Sequence, residues 1–131
     1  MIILDTHAWV WFVSNPENLS RAATHAIESS IACKGVYISS ISVWEVALLV
    51  TKKRMELSME VADWISMSEK VPFLQFVPVD NQVAIRSVHL PQPLHQDPAD
   101  RIIIATAIGL GLPLVTKDLK LQNYPHVKTI W

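Results

Sequence analysis

The chain has 131 residues, half of them hydrophobic and 18% charged, with a formal net charge of −1. That is enough apolar chain for one domain with one proper core, and it excludes a disordered or fibrous protein. The charge balance argues neither for nor against nucleic acid, which would need a local basic patch.

Ile2–Leu4 reads as a short strand buried on both faces, because three large aliphatics follow one another and two are β-branched. Asp5 stands where that strand ends. His7–Val13 reads as a short helix, ended by Ser14-Asn15-Pro16. Ser20 caps a helix running to about Ala32, with Ala22, Ala23, Ala26, Ile27 and Ile31 near helical period. Gly35 breaks it, and Val36–Ile38 is the second strand. Ser39-Ser40-Ile41-Ser42 reads as a turn, and Ser42-Val43-Trp44-Glu45 has the form of a capping box. The helix behind it runs from Val43 to about Arg54, with Lys52, Lys53 and Arg54 at the negative end of its dipole. A further helix spans about Met59–Glu69.

Phe73–Val79 is the third strand. Pro78 within it cannot donate a ladder hydrogen bond, which places the strand at a sheet edge. Asn81–Val88 is helical, and Leu90 to Gln96 is a stiff loop. Asp97 then caps a strong helix, with Pro98 at its first position and Asp100 at its third, ending at Gly109 to Gly111. Leu114-Val115 is the fourth strand and Lys128-Thr129-Ile130 a short fifth. Strands alternating with helices imply parallel βαβ units with helices on both faces of one sheet, in a single domain over 1–131. Ile102 to Val115, the longest nearly apolar run, is too short to span a bilayer. The N-terminus lacks a basic segment before its apolar run, and the single cysteine, Cys33, excludes an internal disulfide. A cytoplasmic protein is the expectation.

Six Asp and six Glu are present. Glu17, Glu28, Glu56, Glu60, Asp63 and Glu69 lie among polar neighbours and read as solvated. Asp5, Glu45, Asp100 and Asp118 are each set among apolar residues beside buried structure. Carboxylates gathered in one partly buried place repel unless a cation joins them. A hard divalent ion, Mg²⁺ or Mn²⁺, takes oxygen ligands and fits that role. It suits metal-dependent phosphodiester hydrolysis. Each acid also has a plainer reading. Asp5 also reads as a helix cap, Glu45 as half of a capping box, Asp97 and Asp100 as helix-start residues, and Asp118 as a turn residue. The five histidines show no zinc spacing; His7 and His95 adjoin the acids. No Gly-rich phosphate loop is present. Trp9 and Trp11 lie two apart, so they cannot share a helix face, and one of them is expected at an interface.

Four segments together resemble the PIN domain, specifically the VapC-type ribonuclease toxins of prokaryotic toxin–antitoxin pairs. They are Leu4-Asp5-Thr6-His7; Ser39-Ile41-Ser42-Trp44-Glu45; His95-Gln96-Asp97-Pro98-Ala99-Asp100-Arg101 with Ile104-Ala105-Thr106-Ala107; and Leu114-Val115-Thr116-Lys117-Asp118. The likeness covers essentially the whole chain. It implies a three-layer α/β/α sandwich with a central parallel sheet. It also implies a Mg²⁺- or Mn²⁺-dependent endoribonuclease acting on RNA, held by a cognate antitoxin and dimeric. Asp5, Glu45, Asp100 and Asp118 match its four acids as catalytic residues and metal ligands. Asp97 belongs to the subgroup with Asp-Pro-x-Asp-Arg at this helix start, Thr116 matches a hydroxyl position suited to orienting water, and Thr6 follows the first acid in a supporting position.

Two other readings compete. A metal-dependent phosphatase or phosphoacceptor domain also sets acids at strand ends, but the phosphatase pattern needs a second Asp where His7 stands. A non-catalytic module of the same fold is the third; the complete four-acid set argues against it.

Overall fold

The structure is a computed structural model that describes residues 1–131. Five strands form one all-parallel sheet: β1 (Ile2–Leu4), β2 (Val36–Ser39), β3 (Leu74–Val77), β4 (Leu114–Val115) and β5 (Thr129–Ile130). Their order is β3-β2-β1-β4-β5. The chain winds outward from β1 through β2 to β3, then returns to the other side of β1. The order therefore reverses at the β1–β4 pair, where open α/β sheets form their ligand crevice.

Alternation along β1 splits the core in two. Ile2 and Leu4 face one side with Val36, Ile38 and Val115; Ile3 faces the other with Leu114. The first side is covered by α1 (Thr6–Ser14), α2 (Arg21–Ile31), α3 (Ser40–Thr51) and α4 (Val61–Glu69), through Trp9, Ile27, Val46 and Trp64. The second is covered by α5 (Asn81–Val88), α6 (Pro98–Leu110) and the short α7 (Leu119–Gln122), through Val83, Ile103, Ile104 and Leu121. This is the expected three-layer sandwich. Fully burying an aliphatic or aromatic side chain stabilises by about 1.5–3 kcal/mol. The three β1 aliphatics, which touch both cores, therefore matter well beyond their number. No helix is long and apolar enough to cross a membrane.

Several boundaries differ from the sequence reading. β3 stops at Val77, so Pro78 lies just beyond the strand; the strand is nonetheless at the sheet edge. α4 begins at Val61, two residues after Met59. A 3-10 turn at Pro16–Asn18 and α7 were not anticipated, being too short to show a period. Ser39-Ser40-Ile41-Ser42 is not a turn. Ser39 ends β2 and caps α3 directly, its hydroxyl accepting from the Ile41 amide at 3.2 Å. Ser42 is thus inside the helix, and no Ser42–Glu45 capping box exists. Gly111 closes α6 in the left-handed region at φ 66°, where a side chain is strained.

Candidate active site

β1 delivers Asp5 to the carboxyl edge of the sheet, and both carboxylate oxygens are held. Oδ1 accepts from the Ala8 amide at 2.8 Å, capping α1, while Oδ2 accepts from the Thr116 hydroxyl beyond β4. Cap and site are therefore compatible roles. Thr116 is fully buried, and its oxygen also accepts from the Asp118 amide at 3.1 Å. The Thr116 hydroxyl thus joins Asp5 to the backbone of Asp118. Burial raises the Asp5 carboxyl to about 6, against the lowering effect of the two hydrogen bonds and His7, and Asp100 raises it further.

Glu45 lies in the second turn of α3, where its side chain reaches the start of α1. Its Oε1 accepts from the Thr6 hydroxyl, which also hydrogen-bonds Ser42 at 2.9 Å. Thr6 is therefore a support for the second acid. Burial raises the Glu45 carboxyl, and the charges of Asp100 and Asp97 raise it too, partly offset by Thr6.

The loop before α6 supplies the third acid and its brace. Asp97 is exposed and caps α6, accepting from the Asp100 amide at 3.0 Å. It does not line the acid cavity and acts there only through its charge. Asp100 Oδ2 lies 2.7 Å from His95 Nε2, within hydrogen-bond distance. Burial raises Asp100 despite that bond, and Asp97 and Asp118 add to the rise. Arg101 points the other way, into the core. Its guanidinium donates to the carbonyls of Ser87 (2.9 Å), Leu94 (3.3 Å), His95 (3.3 Å) and Val88 (3.4 Å). It thereby ties the 88–95 segment to α6 and sets His95 beside Asp100. Sequence reading placed His95 next to the acids but found no task for Arg101; a buried clamp of carbonyls leaves no local pattern.

Asp118 is exposed and caps α7, accepting from the Lys120 amide at 2.8 Å. It nevertheless faces the other acids. Asp5, Thr6, His7, Trp11, Glu45, Asp100, Lys117 and Asp118 line one open cavity of about 450 Å³. All four expected acids meet there. Trp11 and Lys117 join them, although neither was expected at the site; the clue for Trp11 was its spacing of one helical turn from His7. Trp9, by contrast, is fully buried against Trp64 and Phe76, which removes it from any interface. A larger cavity of about 550 Å³ lies between α3 and α4, but its only acids, Glu56 and Glu60, are exposed.

No three His, Cys, Asp or Glu side chains converge into a ready-made metal cage. The four carboxylates that line the cavity are oxygen donors, the ligand type a small hard ion takes. Mg²⁺ commonly binds through one or two carboxylates and keeps several waters, whereas structural zinc wants four converging ligands. The electrostatics also fit. Asp5, Glu45 and Asp100 are all raised, with acid neighbours contributing, and no lysine or arginine pairs with any of them. A divalent cation would relieve that stress.

Comparison with known proteins agrees with this layout. The PIN domain family model matches residues 2–127. Ribonuclease VapC22 of Mycobacterium tuberculosis is 37% identical, over 99% of this chain and 98% of its own length. Among solved structures, VapBC2 from Rickettsia felis, crystallised on a promoter DNA fragment, superposes with a TM-score of 0.72 at 18% identity, covering 98% of this chain and 97% of that one. FitAcB from Neisseria gonorrhoeae gives 0.70 at 22% identity, covering 98% and 96%. A toxin–antitoxin complex from Klebsiella pneumoniae gives 0.65 at 24%, covering 97% and 95%. At these identities the solved structures speak for the fold, while the family model and the relative from M. tuberculosis speak for descent. With its acids gathered at the β1–β4 crevice, the chain belongs to the PIN domain family.

Proposed function

We propose that this protein is a Mg²⁺- or Mn²⁺-dependent endoribonuclease, the toxin of a toxin–antitoxin pair, and that Asp5, Glu45, Asp100 and Asp118 form its catalytic metal site. The carrying observation is a cavity lined by four acids, three of them raised, with no basic side chain paired to neutralise them save His95 on Asp100. The ribonuclease name of the relative at 37% identity supports the substrate class.

Asp5, Glu45, Asp100 and Asp118 would hold such an ion, which would supply acidification of water and neutralisation of charge on a phosphoryl oxygen. The chain's own residues supply placement. Asp5 is fixed through both oxygens, so its direction costs nothing to set when substrate arrives. His95 orients Asp100, and Thr6 orients Glu45. Acids held in a partly buried cleft act in a lower dielectric than water, which strengthens their hold on a cation.

The solved toxin–antitoxin complexes of the same fold support an antitoxin as the protein partner. The family habit and a set of exposed apolar side chains, Trp44 (55% exposed), Ile85 (62%) and Val88 (70%), support a homodimer. The PIN match displaces the phosphatase and phosphoacceptor readings. Cleavage of labelled RNA with Mn²⁺, comparing wild type, Asp100→Asn and the surface control Glu56→Gln, tests the proposal. Wild type and the control cleave and Asp100→Asn does not; equal cleavage by all three sinks the assignment.

A further inference from the structure

We infer that Trp11 is a stacking platform for one unpaired base of the RNA and that Lys117 takes the phosphate beside it. The inference rests on the ribonuclease reading of the same cavity and adds which of its side chains hold the RNA.

Of the residues lining the acid cavity, Trp11 is the only hydrophobic one and Lys117 the only lysine or arginine. α1 carries both a buried and a half-buried indole. Trp9 fills the core between Trp64 and Phe76. Trp11, on another face of the helix, is left at the cavity wall. Two neighbours set its ring: His7, one turn earlier, at 5.6 Å between centroids, and Trp131 at 5.8 Å, both tilted by roughly half a right angle. The indole is thus held in place without being drawn inside. The Lys117 ammonium lies 5.7 Å from the Trp11 ring centroid. Lys117 is exposed on a flexible stem, and a cation–π contact at such a site is weak. An arriving nucleotide exchanges it for a base on the ring and the ammonium on the phosphate.

In the metal-free protein, electrostatics leave the holding of RNA to such a contact. Four acids line the cavity and the whole chain carries a net charge of −1, so long-range attraction does not bring RNA phosphates to this site. Stacking on a π-face does not depend on that field, and every base offers one. A base inside a duplex is already stacked on its neighbours and cannot lie on the indole. Recognition through splayed bases is confined to single strands, loops and bulges.

The test measures binding by fluorescence anisotropy without divalent ion. The probes are a labelled single-stranded oligouridylate, base-paired RNA of equal length, and an abasic ribose-phosphate chain of equal length. Wild type should prefer the oligouridylate to both others. Trp11→Leu should weaken that binding by about 5- to 150-fold, the range for losing one stacked base, whereas Trp11→Phe keeps most of it. Lys117→Ala should lower the slope of log affinity against log salt by about 0.7. Should Trp11→Leu melt far below wild type, the wild-type preference over abasic chain and the Trp11→Phe rescue still decide. Equal wild-type binding to abasic or paired RNA, no binding to any probe, or full binding by Trp11→Leu overturns the inference. Failure of the ribonuclease reading looks different: preferred, Trp11-dependent binding of the single strand with no cleavage when Mn²⁺ is added.

Discussion

Changing Asp5 to Asn should make the metal-free protein more stable while destroying its cleavage of RNA. The Asp5 carboxyl is raised from 3.8 to about 6, mainly by burial. About two units at 1.36 kcal/mol each is roughly 3 kcal/mol of cost for holding it ionised near pH 8. A carboxyl with a raised folded-state pKa contributes stability that is complete below its unfolded value and is lost as pH rises through the folded one. The window therefore lies between about pH 4 and 6, and the wild-type protein without metal should be weaker at pH 8 than at pH 4.5. Asn keeps the oxygen that accepts from the Ala8 amide but offers Thr116 an amino group instead of an acceptor. That exchange forfeits about 1 kcal/mol. The net gain is about 2 kcal/mol at pH 8, or roughly 8 °C in Tm for a chain of this size. Near pH 4.5 the gain should vanish. Millimolar Mg²⁺ should raise the wild-type Tm and move the variant far less. Thermal melts in chelator at the two pH values, repeated with Mg²⁺, read all of this. An Asn variant less stable than wild type at pH 8, or a difference unchanged by pH, would refute the burial argument.

Asp100→Asn should cut the cleavage rate by about 10²–10³, as expected for loss of an electrostatic stabiliser, with Glu56→Gln unchanged in the same assay. Arg101→Met strands several buried carbonyls at once and should cost on the order of 3 kcal/mol, seen as a Tm lower by about 12 °C; a change within 2 °C would show that the clamp is replaced by water. Calorimetry should find Mg²⁺ or Mn²⁺ bound at an oxygen site, and tight Zn²⁺ binding with neither of these would contradict it. Light scattering of the chain purified alone should give twice the mass of one chain, and a concentration-independent monomer would remove the dimer.

Much of the architecture is written locally. Three aliphatics followed by Asp5, Ser20 before an apolar period, and Asp97-Pro98 before a long apolar helix each carry their own start signals, because caps and periodicity act over a few residues. The β-α alternation and the four acids followed from them. What failed also failed for a local reason. Ser42 and Glu45 have capping-box spacing, but Ser39 takes the cap one turn earlier, since β2 runs straight into α3 without a turn. Only tertiary structure then decides what Glu45 meets, namely the Thr6 hydroxyl, 39 positions away in sequence. The same holds for Thr116 on Asp5, for Arg101 on the 88–95 segment, and for Lys117 over Trp11. These contacts join residues far apart along the chain or span loops without a period, and their geometry is set by the strand order that folds β4 beside β1. The sequence alone determined which residues are acidic and where elements begin; the sheet decided that the acids share one cavity, because placing β1 at the reversal of strand order brings the ends of β1 and β4 and the start of α3 to one crevice.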